Sequence, residues 1–161
     1  MDAANSAAPP QSSIVSRRRM KLDSPDAVAS FGWAWVAAVG ALAVHVADEA
    51  THDFLSWYNP QALRIRGLMH GIPFPPTFTF WPWLMALGAG VAFLAALTVA
   101  AFAGTSWMRP AAYALSAIHA LNGTGHLVGA FLAKRAVPGV LSAPLLLAAS
   151  LWLWHAAREL P

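Results

Sequence analysis

Apolar residues fill positions 31–44 almost without interruption, and then four ionisable side chains appear close together: His45, Asp48, Glu49 and His52. A helix turns about 100° per residue, so these four fall within an arc of roughly 100° and share one face. The next apolar block, Phe78 to Phe102, carries no charge at all. The block after it repeats the first arrangement, since His119, Asn122 and His126 lie on one helical face with Gly125 and Gly129 beside them. A last Leu-rich block closes the chain. Blocks of this length and polarity predict an all-α integral membrane four-helix bundle with spans at about 27–57, 78–103, 109–133 and 137–156.

The two polar stripes match in depth. Asp48 follows the midpoint of Trp33 and Trp35 by 14 positions, and Asn122 follows Trp107 by 15. With the tryptophans read as anchors at one interface, both stripes lie roughly 21 to 23 Å from it at 1.5 Å per residue. The first and third spans run in the same direction, so the stripes are placed to meet. The Gly125-x-x-x-Gly129 spacing leaves room for a neighbouring helix, and a second copy of the chain is a candidate partner.

The connecting segments read as follows. Residues 1–24 form a basic tail rich in Ala, Ser and Pro, with Arg17, Arg18, Arg19 and Lys21 and no apolar period; it is expected to be disordered and lacks the short hydrophobic region of a cleavable signal. Ser24-Pro25-Asp26 is a helix start, with Ser24 as cap. Asn59-Pro60 ends the first span, and 59–77 is expected to be a mixed loop, with Arg64, Arg66 and His70, on the membrane surface or over the bundle. Gly88 and Gly90 permit close approach to the second span. Pro138 begins the last span, and Pro144 is expected to bend it.

Composition agrees with a membrane protein. Of 161 residues, 58% are hydrophobic and 11% charged, and mean hydropathy is +0.52. The length suits one domain, spanning residues 25–158 after the tail, and membrane lipids are the first expected partners. A net charge of +3 and a pI of about 10.0 do not point to nucleic acid, because the basic residues are divided between the tail and short loops and no nucleic-acid motif is present. Six of the 10 basic residues (Arg17, Arg18, Arg19, Lys21, Arg109, Arg158) fall on the side of the termini, which puts both termini in the cytoplasm. Cysteine is absent, so disulfides, thiolate metal sites and cysteine nucleophiles are excluded.

Two chemistries fit the stripes. His45, Asp48, Glu49, His52, His119 and His126 are candidate ligands for one divalent metal, zinc or iron, and Glu49-Ala50-Thr51-His52 has the Glu-x-x-His spacing of di-iron bundles. A full di-iron site needs more carboxylates than the chain offers, which leaves a single ion with three protein ligands and an open position. The metal-free version uses Glu49 as acid or base, His45 and His126 as proton partners and Asn122 as an orienting group; it would move a double bond or hydrolyse a bond in a lipid-like or apolar substrate. The same groups would equally serve a non-catalytic ligand-binding or transport protein. A lone His45 or His119 would be an ordinary packing histidine; the paired stripes argue for more. Asp53, His70 and His155 read as solvated, and Trp57 is placed to roof the site.

The stretch His45-Val46-Ala47-Asp48-Glu49 resembles the motif of the HXXEE domain family, small bacterial membrane proteins, with Asp in place of the first Glu. Asn122, His126, Arg135 and Val137-Pro138-Gly139-Val140 before a Leu-rich helix are similar to the later part of that family, so the resemblance runs from the first span to the fourth. It implies an enzyme-like site of His and acidic residues, without a specified reaction, in a multi-pass protein of the bacterial inner (plasma) membrane. Asp48 is shorter than Glu by one methylene, which points to Glu49 as the main carboxylate.

Overall fold

The structure is a computed structural model describing residues 25–69 and 72–160. The tail, the Ser24 cap and His70 lie outside the described residues. Within those described, all regular structure is helical. The segments are α1 (Pro25–Thr51), α2 (Phe54–Leu68), α3 (Phe80–Ala96), α4 (Thr98–Phe102), α5 (Met108–Ala133) and α6 (Ala143–Glu159). Only Leu97 separates α3 from α4, so the two form one rod, Phe80–Phe102. That rod and α1 are long and apolar enough to cross a membrane.

Helix α1 is the central element, flanked by α6 and by the α3–α4 rod, while α5 packs along α6 and meets α1 only narrowly. Val28 lies under Gly104, and the Trp35 indole donates to the Leu94 carbonyl at 2.9 Å, so α1 and the α3–α4 rod are antiparallel. Gly123 packs against Ala143 and Leu147, and the Tyr113 ring lies tilted against Trp154 with centroids 4.7 Å apart, so α5 and α6 are antiparallel too. The core, with Phe31, Trp35, Met108, Leu146 and Leu153 at its centre, occupies the half of the bundle around the start of α1. The polar groups collect at the other half.

Several boundaries differ from those expected. The first span does not continue to residue 57, because α1 stops at Thr51. There the Thr51 hydroxyl and His52 Nδ1 take the carbonyls of Ala47 and Asp48 at 2.7 and 2.8 Å, and Asp53 turns left-handed at φ 54°. Side chains that compete for last-turn carbonyls, followed by an Asp that tolerates the left-handed region, end a helix. The expected loop from Asn59 is instead mostly α2, which holds Pro60 in its interior. Its aromatic face decides this: Phe54 stacks on Tyr58 and Trp83, 5.2 and 5.8 Å away. Residues 72–79 are non-helical and strapped back to α2, where Asn59 exchanges two hydrogen bonds with the Phe78 backbone and Arg66 donates to the Pro75 carbonyl at 2.7 Å.

The last helix starts at Ala143, six residues later than expected, since 137–142 are turns around Gly139. Pro144 therefore stands in its first turn, where no backbone donor is missed, and it does not bend the helix. Trp35 is a core residue and not an interfacial anchor, whereas Trp33 is exposed. The close approach expected at Gly125, Gly88 and Gly90 is not found, since nothing lies within 4 Å of a Cβ placed at any of them; Gly123 is the glycine that admits α6.

Candidate functional site

The last two turns of α1, the C-terminal half of α5 and the turn before α6 build the polar end of the bundle. His45 and Glu49 are one helical turn apart on α1, and His126 comes across from α5. His126 Nε2 stands 3.0 Å from Glu49 Oε1, and His45 Nε2 stands 3.6 Å from the same oxygen. All three residues are buried, at 0% exposure for His45 and 4% for each of the others. The two imidazole rings meet edge to face, with centroids 4.7 Å apart. Their ligand atoms lie within 4.8 Å of one another.

The rest of the candidate set is arranged around this trio. Asp48 is turned away from it: its Oδ2 accepts from the Ser142 hydroxyl at 2.6 Å and the Ser142 backbone N–H at 2.9 Å, and its Oδ1 pairs with His52 at 2.9 Å. This carboxylate thereby covers the start of α6, where a helix favours negative charge. His52 is about half exposed and belongs to that outer pair. His119 is buried on α5 with neither ring nitrogen bonded, and it is not part of the trio. Asn122 is half-buried beside His45, without a hydrogen bond of good geometry.

Ser142 is the residue of the candidate site that the sequence did not suggest. Its hydroxyl also lies 2.7 Å from Nδ1 of His45. A serine ahead of an apolar helix reads as an ordinary cap, and nothing in the sequence announces its pairing with a carboxylate 94 positions away. Gly139, which the sequence singled out only within the Val137-Pro138-Gly139-Val140 segment, also bears on the site. It has φ +85°, and a Cβ there would stand 2.5 Å from Cε1 of His126, so the turn presses directly on the imidazole. Phe54 and Trp57 of α2 close the other side of that ring, at 5.7 and 6.4 Å. Trp57 thus roofs His126.

A cavity of about 380 Å³ lies beside the trio, lined by Asp48, His52, Asp53, Trp57, Arg135 and Leu141 among others. Glu49 and His126 do not line it, whereas their neighbours Asp48 and Trp57 do. The cavity offers one fixed cation, two carboxylates and apolar wall.

The sequence has been compared with family models, curated proteins and solved structures, and none of the three comparisons finds a match.

Proposed function

We propose that the chain is a membrane-embedded enzyme of the HXXEE type, crossing the bacterial plasma membrane four times with both termini in the cytoplasm and acting on a lipid-like or apolar substrate. The observation that carries this reading is the buried carboxylate of Glu49, 3.0 Å from His126 on a different helix. Ionisable groups inside an apolar bundle are expensive, and they persist there where they are used. Four crossings are supported by the outward faces of α5 and α6. Ile118, Leu121, Phe131 and Leu132 on one helix and Leu145, Leu151 and Trp152 on the other are exposed, a surface that water would not tolerate.

In this reading Glu49 removes a proton from one atom of the substrate and His126 returns one to another, which shifts a double bond with no net change in protons. The same pair acting on a bound water would hydrolyse an ester instead. His45 is the second proton partner beside the carboxylate, Asn122 orients the substrate, and the cavity beside Asp48 and Arg135 takes its polar end. Comparing lipid extracts from cells with the parent chain, with Glu49→Gln and with no chain tests the proposal. A lipid that changes only with the parent supports it. Extracts that are identical in all three, with ligand binding or transport abolished by Glu49→Gln, would favour a non-catalytic carrier.

A further inference from the structure

We infer that His45 Nε2, Glu49 Oε1 and His126 Nε2 are the three protein ligands of one zinc-type divalent ion, held in register by Ser142 and Asp48. The inference takes the location of the site from the reading above and makes its own claim about chemistry.

The protons decide it. Ser142 has one hydroxyl hydrogen, and Asp48 Oδ2 takes it at 2.6 Å. Toward His45 Nδ1, 2.7 Å away, that oxygen can then only accept. His45 therefore carries a hydrogen on Nδ1. In the neutral ring this leaves a bare lone pair on Nε2, which is buried, has no hydrogen-bond partner and faces Glu49. A lone pair and a carboxylate oxygen facing each other at 3.6 Å repel unless something positive sits between them.

A metal ion answers that requirement. Zinc holds imidazole nitrogen and carboxylate oxygen at about 2.0–2.2 Å, which puts neighbouring ligand atoms roughly 3.3–3.5 Å apart in a tetrahedron. Two of the three separations here, 3.0 and 3.6 Å, bracket that value, and all three ligand atoms lie within 4.8 Å of one another. A histidine that ligates through Nε2 commonly gives its Nδ1–H to a carboxylate, directly or through another group, and the Asp48–Ser142 pair does this for His45. Charge also balances, because Glu49 in contact and Asp48 one hydroxyl away offset a dipositive ion in a medium that penalises net charge. Three protein ligands leave one position for water or substrate. The competing arrangement is an imidazolium at His45 or His126 paired with Glu49, which needs no ion.

The test is zinc binding by the full chain in detergent, purified without a polyhistidine tag, stripped with chelator and titrated with Zn²⁺ alone. The parent is expected to bind about one ion per chain, and X-ray absorption should show only nitrogen and oxygen ligands at about 2.0–2.2 Å. Glu49→Gln and His126→Gln should abolish binding. Ser142→Ala, which alters only a positioning residue, should weaken it about 10- to 100-fold, with Ser142→Thr restoring it. His155→Ala, at an exposed histidine on α6 outside the site, should leave it unchanged. No micromolar binding by the parent overturns the inference, whatever the variants do. Binding that survives Glu49→Gln and His126→Gln but is lost in His52→Ala overturns it as well. A Glu49-dependent lipid change without zinc removes the ion and leaves the acid–base reading. Zinc binding without any lipid change does the reverse.

Discussion

The hydroxyl of Ser142 stands 2.7 Å from Nδ1 of His45 and joins that ring to the carboxylate of Asp48. Through this one side chain the start of α6 fixes both the rotation and the tautomer of a histidine on α1. Two buried groups depend on it. Ser142→Ala leaves His45 Nδ1–H without an acceptor and takes one of the two donors from Asp48 Oδ2, so it should destabilise the protein by about 1–3 kcal/mol. Ser142→Thr, which keeps the hydroxyl, should lose less than half as much. Denaturation in detergent micelles measures both, and equal losses in the two variants would show that the hydroxyl has no such role.

Gly139→Ala should disturb His126 more than any change of similar size on the surface. The new Cβ meets the imidazole at 2.5 Å from Cε1 and 2.7 Å from Nδ1, on a backbone with φ +85° that side chains rarely adopt. Strain of this kind costs about 1–3 kcal/mol. The imidazole should move off Glu49, which the chemical shifts of the His126 ring nitrogens would report.

Trp35→Phe tests how α1 is held to the α3–α4 rod. The variant retains most of the buried ring but leaves the Leu94 carbonyl without the indole donor that now reaches it at 2.9 Å. A loss of about 1–3 kcal/mol is expected in the same denaturation assay. No loss would mean that this carbonyl finds its partner elsewhere.

Gly123 and Gly125 are two positions apart on α5 and should behave differently. A side chain at Gly123 meets Leu147 at 2.9 Å and the Ala143 carbonyl at 3.1 Å, while one at Gly125 meets nothing within 4 Å. Gly123→Leu should therefore push α5 from α6 at a cost of about 1–3 kcal/mol. Gly125→Ala should stay within about 0.5 kcal/mol of the parent.

These residues also show what a linear sequence reveals. The polar faces of α1 and α5 were legible because periodicity alone fixes which side chains share a face, and α5 starts at Met108, one residue before the expected span. The meeting of Glu49 with His126 was expected from matched depth, although Trp35, one of the anchors from which depth was counted, is a core residue. The fate of Asp48 did not, because its partner Ser142 is brought near only by the antiparallel return of α6. Likewise Asn59-Pro60 carries a strong stop signal, which the stacking of Phe54 and Tyr58 against α3 and its approach overrides. Local signals determined the rods, and tertiary contacts determined their ends.

The central claim is that Glu49 and His126 interact directly across two helices, at the 3.0 Å separation between Oε1 and Nε2. A double-mutant cycle on unfolding free energy, with the parent, Glu49→Gln, His126→Gln and the double variant in one detergent, measures that interaction. A coupling of about 0.5–3 kcal/mol is expected for groups in contact. Losses that add to within about 0.3–0.5 kcal/mol would mean that the two side chains do not meet, and would contradict the account.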